Sequence, residues 1–378
     1  MMRFKMIRKI FFILLLIVLI GIVAIYFFMQ TKPFGKLPEG ERLIRIEQSP
    51  HYKQGEFVNL TPTTLETGDK SRWRVMYEFL FDHVDRLKPN KPLPHVQSDL
   101  KNIPIDRNFF VWFGHSSYLL QVDGTRFLVD PVFVSGAPLP FFNDMFEGSN
   151  VYRPEDMPDI DYLVITHDHW DHLDYETIKQ LIPKVKKVIT ALGVGSHLEY
   201  WGFAPEQITE LDWNEEAEFD DVFITALPAR HFSGRTLTAN KTLWASFMIE
   251  TSNETVYIGG DSGYDTFYQD IAKRFQPISL AILENGQYNS QWAQIHIQPD
   301  ELVQAIKDLH PQKVVSVHNA KFALAKHAWD DPMIRLSAAA ERENLPLYTP
   351  MIGEVFYFTE GQQQFGKWWE TVDDTSSQ

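Results

Sequence analysis

The sequence predicts an α/β domain whose sheets are covered by helices on their outer faces, carried behind an N-terminal transmembrane helix. Three observations predict it. From Asn108 onward, short β-type runs alternate with helical stretches. No break in composition interrupts residues 108–358. An unbroken apolar run from Ile10 to Met29 stands apart from everything after it. Strands that alternate with helices bury one sheet face against another layer and cover the rest with helices.

The chain opens with Arg3, Lys5, Arg8 and Lys9 ahead of the apolar run. The run has the length a helix needs to cross a bilayer core, roughly 20 residues. A cleaved signal shares the basic start, but its apolar core is shorter and ends in small residues. Here the run ends Tyr26-Phe27-Phe28-Met29-Gln30. Residues 1–9 therefore read as a cytoplasmic basic tail and 10–29 as a retained single-pass anchor in the cell membrane. The rest falls on the extracytoplasmic side, although Lys32, Lys36 and Arg42 weaken that charge bias.

Residues 30–107 read as a connector and N-terminal extension. Its first part, 30–70, is polar and rich in Pro, Gly, Thr and Lys. Residues 72–88 carry helical periodicity, with Trp73, Met76, Leu80, Val84 and Leu87 on one stripe. That helix is expected to pack on the main domain, the alternative being a membrane-docking or substrate-lid helix. Residues 108–360 form the catalytic domain and 361–378 a polar C-terminal tail.

Strand candidates within the domain are Phe109–Phe113, Tyr118–Val122, Arg126–Val129, Tyr162–Ile165, Lys187–Ile189, Val222–Ala226, Ala245–Ile249, Val256–Ile258, Leu280–Leu283 and Lys313–Val317. Helix candidates are Leu173–Ile182, Asp265–Phe275 and Pro299–Leu309, the last with an acidic start suited to a helix N-terminus.

Composition narrows the chemistry. The 35 basic and 50 acidic residues give a formal charge of −15, which repels a polyphosphate backbone and speaks against a nucleic-acid enzyme. There is no cysteine. Disulfides, thiolate ligands and a cysteine nucleophile are thereby excluded, so any metal must be held by His and carboxylates.

The decisive segment is Thr166-His167-Asp168-His169-Trp170-Asp171-His172-Leu173-Asp174, directly after an apolar β run. Neutral imidazoles and carboxylates suit zinc or a similar divalent ion, with iron and manganese possible. Alternation lets His167 and His169 share one side, and the following turn sends Asp171 and His172 toward a second ion. Three later residues repeat the position. His231 follows Val222–Ala226, Asp261 follows Val256–Ile258, and His318 follows Lys313–Val317. Each stands at the carboxyl end of a strand candidate. Two ions sharing a water lower its pKa toward neutrality and hold it as hydroxide, so no protein nucleophile is required.

His-x-His-x-Asp-His is similar to the signature of the metallo-β-lactamase superfamily. Within it the chain most resembles the branch containing N-acylphosphatidylethanolamine-hydrolysing phospholipase D. The segments that carry this are Trp112–Ser116, Asp130–Phe133, Thr166–Asp174, Pro228–Arg235, Gly260–Tyr264, Gly286–Tyr288 and His318–Leu324. The resemblance implies a four-layer αββα fold and two metal ions, taken as Zn2+. One would be held by His167, His169 and His231, the other by Asp171, His172 and His318, with Asp261 bridging. Asp171, Asp261 and His296 are the implied catalytic residues, His296 as proton donor to the leaving group or phosphate contact. Two departures fall near the expected substrate: Glu284-Asn285 replaces a more apolar pair, and the segment between Trp292 and His296 is shorter.

Other residues receive lesser roles. Asp168 and His115 are expected to support the ligands without binding metal, the alternative for His115 being a catalytic role. His327, on an expected helical segment, is read as a non-ligand, and as the replacement ligand should His318 not serve. Asp130-Pro131 is a structural turn with a buried carboxylate. Phe133, Phe141, Phe142 and Phe146 form a loop near the mouth that either meets a lipid chain or covers the core. The function expected from the resemblance is a membrane-anchored zinc phosphodiesterase acting on a phospholipid. The alternatives are a lactonase or other ester or amide hydrolase, and a non-catalytic metal-binding envelope protein.

Overall fold

The structure is a computed structural model that describes residues 2–138 and 143–372. It begins with a helix, α1 (Met2–Phe28), whose apolar window is not buried against the rest of the chain. The helix thus takes in most of the basic tail as well as the apolar run. Then come α2 (Gly40–Gln48), a short hairpin of β1 (Tyr52–Lys53) and β2 (Glu56–Phe57), and α3 (Arg72–Phe81).

The domain itself starts with β3 (Phe109–Trp112), β4 (Tyr118–Val122), β5 (Thr125–Val129) and β6 (Ile160–Ile165). After α4 (Tyr175–Leu181) come β7 (Val185–Ala191), α5 (Gly195–Trp201) and β8 (Ile208–Leu211). The second half runs β9 (Glu216–Phe219), β10 (Val222–Leu227), β11 (Ser246–Glu250), β12 (Thr255–Ile258), α6 (Phe267–Arg274) and β13 (Leu280–Glu284). It ends with α7 (Pro299–Leu309), β14 (Val314–Val317), α8 (Asp331–Glu343), β15 (Leu347–Tyr348) and β16 (Val355–Phe356).

Two seven-stranded sheets result, in the orders β16-β3-β4-β5-β6-β7-β8 and β15-β14-β13-β12-β11-β10-β9. Strand alternation explains how the second sheet is sandwiched. Phe247, Ile249, Val256, Ile258, Leu280, Ile282, Val315 and Val317 enter the large core shared with the first sheet. Their neighbours Met248, Tyr257, Ala281, Leu283 and Val314 point the other way, into a second core built with α6, α7 and α8. Ile178 and Leu181 of α4 and Leu198 and Trp201 of α5 join the larger core. This is the expected four-layer αββα arrangement.

Topology decides where the chemistry gathers. β5 pairs parallel with β6, and β3 shares their direction through the antiparallel β4. In the other sheet β12, β13 and β14 are parallel, and β10 shares their direction through β11. The carboxyl ends of seven strands therefore converge on one edge of the sandwich, where ligand sites form in layered α/β folds.

Three expectations are corrected. The stretch 30–70 is not a free connector: α2, the hairpin and the segment after it lie against the domain, with Phe34, Ile46 and Phe57 buried. The helix expected over 72–88 ends at Phe81, because Asp82 leaves the helical region with ψ 131° and the chain continues irregularly past Arg86 at φ 54°. Nor does its helical part pack that stripe on the domain: Trp73 is 78% and Met76 47% exposed, while Val84 and Leu87, past the end of the helix, are half-buried. The C-terminal tail is polar in composition, yet Trp368 and Trp369 are buried, Trp368 beside Trp112. Leu80 among the stripe residues, and Phe141 and Phe142 of the aromatic loop, lie outside the described side chains. Phe133 and Phe146 are buried and cover the core.

Candidate metal centre

The turn after β6 brings His167, His169, Asp171 and His172 to the convergent edge. His167 Nε2 lies 2.9 Å from His169 Nδ1, and His231 Nε2 lies 3.2 Å from the same nitrogen. Ligand atoms around a tetrahedral ion with bonds of about 2.0–2.1 Å are spaced by roughly this much. His231 Nδ1 donates to the Ile295 carbonyl at 2.8 Å, which leaves its Nε2 lone pair turned toward the other two nitrogens, as a cation at their centre would require.

A second group forms beside it from Asp171, His172, His318 and His115. Asp261 stands between the two. Its Oδ2 is 3.1 Å from His172 Nε2, 3.7 Å from His231 Nε2 and 3.9 Å from His167 Nε2, and its Oδ1 is 3.1 Å from His318 Nδ1. His172 Nε2, His318 Nε2, His115 Nδ1 and Asp261 Oδ1 are buried without a hydrogen-bond partner. Orphaned buried polar atoms are costly. Three ring nitrogens and one carboxylate oxygen left in this way match a site built for divalent cations.

Electrostatics among the protein groups agrees at three of the rings and runs the other way at His172, which faces the carboxylates. Burial, reinforced by neighbouring imidazoles, holds His167 well below the usual histidine range; burial does the same for His231 and His318. These rings stay neutral, as ligands must. Burial pushes the Asp261 carboxyl upward, but His172 and His318 outweigh it and hold it well below its ordinary value. Burial likewise works against His172, and Asp261 and Asp171 overcome it, so this ring is raised well above its usual range.

Surrounding residues fix the ligands. The Asp130 carboxylate accepts from Thr166 N–H at 2.9 Å and from Thr166 Oγ at 2.6 Å, and faces His172 Nδ1 at 2.8 Å. The Asp130-Pro131 turn is therefore an orienting group for His172 as well as a structural corner. Asp168 does not reach the centre. Its carboxylate accepts from His197 Nε2 at 3.1 Å, Thr242 Oγ at 2.9 Å and Gly234 N–H at 2.7 Å, tying the metal turn to the loop after His231. His115 Nε2 meets Asp171 at 2.9 Å, and its backbone exchanges hydrogen bonds with the His318 turn. His115, Asp130 and His318 all have positive φ, conformations held only where the surroundings over-determine them. Gly260, also at positive φ, lets Asp261 approach: a Cβ there would sit 3.0 Å from the Ala245 carbonyl.

His296 lies on the open side, its side chain 14% exposed, with its ring 4.9 Å from His231 and 5.2 Å from His318. Its Nδ1 is 2.8 Å from Glu284 Oε2, while Glu284 Oε1 accepts from the Ser262 and Ile297 N–H groups. Burial pushes the Glu284 carboxyl up to about 7 even beside His296. Against its own burial, His296 is raised by Glu284. The sequence marked Glu284 only as a departure from its resembled branch; its pairing with His296 could not be read from spacing. His197 carried no signal at all. His327 stands apart: it is not helical, its Nε2 accepts from Gln287 N–H at 2.9 Å, and its ring stacks on Tyr288.

Residues 125–319 match the profile of the β-lactamase superfamily domain. The chain is 37% identical over 337 residues to an uncharacterized protein of Mycobacterium tuberculosis, covering 85% of this chain and 88% of that one. It is 32% identical over 229 residues to N-acyl-phosphatidylethanolamine-hydrolyzing phospholipase D 1 of Caenorhabditis elegans, covering 56% of this chain and 63% of the worm protein. A metallo hydrolase from the archaeon Ignicoccus hospitalis shares the fold, with a TM-score of 0.51, 23% identity, and coverage of 66% of this chain and 97% of its own.

Proposed function

Because the chain belongs to the metallo-β-lactamase superfamily of metal-dependent hydrolases, we propose that it is a binuclear zinc phosphodiesterase, anchored in a membrane by α1, that hydrolyses N-acylphosphatidylethanolamine-like lipids. The observation that carries this reading is the pair of ligand groups flanking Asp261, with His296 on their open side. Two divalent ions in that position would activate a shared water and neutralise charge on the substrate oxygens.

The chain's own residues supply the rest. His167, His169 and His231 would hold one ion; Asp171, His172 and His318 the other; Asp261 would serve both. His169, Asp171 and His296 are the partly exposed members, so substrate enters past them. With Nδ1 of His296 taken by Glu284, Nε2 is the nitrogen free to hold a proton for the departing alkoxide. Water adds to phosphorus, the bond from phosphorus to the amino-alcohol oxygen breaks, and phosphatidate and an N-acylated amino alcohol leave. The likeness to the worm phospholipase and the apolar length of α1 support a lipid substrate over a soluble one.

The test is the full-length protein in detergent micelles containing N-acylated phosphatidylethanolamine, with metal analysis and a lactone panel beside it. Release of phosphatidate by protein holding two zinc ions is the expected result. Efficient lactone opening without phosphodiester cleavage would overturn the substrate and leave the metal site standing.

A further inference from the structure

Residues 28–67 lie against two of the loops that carry candidate ligands and against the turn that leads to His296. Phe28, the last residue of α1, packs edge-on against Phe34 at 5.1 Å, and Phe34 against Trp170 at 5.0 Å, inside the metal turn itself. Arg235 fixes this join. Its guanidinium donates to the Pro33 carbonyl on one side and to the Asp168 and Leu173 carbonyls on the other, and lies over the Trp170 ring at 4.0 Å. Farther along, Asn59 exchanges hydrogen bonds with the His231 backbone. Thr64 N–H donates to Gln294, and Thr67 N–H to the Gln291 carbonyl, beside the turn that holds His296. Only two ring contacts separate the end of α1 from the metal turn.

The same rim turns large apolar side chains to solvent. Leu60 follows Asn59, and Leu237 stands in the loop whose Gly234 N–H binds Asp168. Trp73, Met76, Tyr77 and Phe81 are exposed on α3, which lines one cavity with Trp292 through Val75 and Glu78. Leu237 is 88% exposed. Soluble surfaces scatter such residues singly. Aromatic and aliphatic groups exposed around the loops that hold His231 and His296 have the chemistry of a bilayer interface, where amphipathic rings sit at headgroup level.

We propose that this rim is a second membrane contact: Leu60, Trp73, Met76, Tyr77, Phe81 and Leu237 dock on the leaflet from which α1 emerges and hold the metal centre's mouth against the lipid surface. The proposal rests on the reading of α1 as a membrane span. It makes the anchor a fixed mount and not a tether, since Phe34, Trp170 and Arg235 lock the exit of α1 to the metal turn.

The absence of cysteine allows single-cysteine labelling. Four full-length variants, Phe27→Cys, Tyr77→Cys, Leu237→Cys and Glu206→Cys, are each labelled with a fluorophore and reconstituted in phosphatidylcholine vesicles containing brominated lipid. Glu206 is exposed in the turn just before β8, which runs parallel to β6 and β7, so it lies on the edge opposite their carboxyl ends. Bromolipid should quench the labels at 27, 77 and 237 and leave that at 206 bright. Quenching at 27 alone overturns the docking rim while the anchor stands. No quenching at 27 overturns the anchor and the rim with it. Labels at 77 and 237 that become shielded with rising protein concentration in detergent, and not with bromolipid, would assign the rim to a second copy of the chain and overturn the proposal.

Discussion

Asp130→Asn tests whether the centre is held from behind as well as from in front. The carboxylate accepts from Thr166 N–H with one oxygen; the other lies 2.6 Å from Thr166 Oγ and 2.8 Å from His172 Nδ1. An amide has one acceptor. With its oxygen kept on the Thr166 N–H, its NH2 faces the His172 Nδ1–H, donor against donor. The ring then loses its orienting partner and the charge behind it. Losing such a carboxylate–histidine pair costs about 10–100-fold in metal affinity, roughly 1.4–2.7 kcal/mol. The full loss should fall on the ion served by His172. A smaller one should reach the other ion, because Thr166 Oγ also lies 3.0 Å from His167 Nδ1 and can re-aim its hydroxyl. The assay is competition with a chromophoric chelator, read as two dissociation constants, with circular dichroism to verify folding. Two unchanged constants in a folded variant would refute the reasoning; so would a weakening confined to the ion of His167, His169 and His231.

Three further outcomes are expected. Asp261→Asn should nearly abolish turnover in a folded protein, because an amide cannot neutralise two cations; near-normal activity would remove Asp261 from the site. His296→Ala should lower kcat by about 10²–10⁴ with metal content unchanged, and Glu284→Gln less so, which steady-state kinetics with metal analysis will read. Lys321 is buried with its ammonium donating to the Phe113 carbonyl, and burial pushes it down from 10.5 to about 7. Between those values the unfolded chain binds a proton that the folded chain does not, so stability should rise with pH across that window, by up to about 1.4 kcal/mol per unit. Lys321→Met should flatten the rise in chemical denaturation at pH 7 and pH 10; an unaltered slope would show that the lysine is charged in the folded state.

The convergent strands and the metal turn were legible because both leave local marks. Buried strands such as Val256–Ile258 and Val314–Val317 are short apolar runs, and imidazoles placed just after them are rare by chance. The edge strands Ile208–Leu211 and Glu216–Phe219 were missed because half their residues are polar and only one face is covered. Helix Gly195–Trp201 opens with Gly and Ser and shows too little periodicity over seven residues. The belt over 30–70 is attached by Asn59, Thr64, Thr67 and backbone carbonyls, contacts that impose no repeat on the sequence. The same holds for His197, whose tie to Asp168 exists only once two distant loops meet. Glu284 stood out by its identity, but its partner His296 came from geometry.

One consequence follows from where the ligands originate. His167 to His172 hang from the first sheet; His231, Asp261 and His318 hang from the second. Ions held between them would stitch together stretches of chain that are far apart in sequence, closing long loops in the unfolded ensemble as a covalent bridge does. A protein without a single cysteine would thus obtain its cross-links from coordination chemistry. Catalytic competence and mechanical cohesion of the sandwich would then be one property, lost together when the ions are stripped.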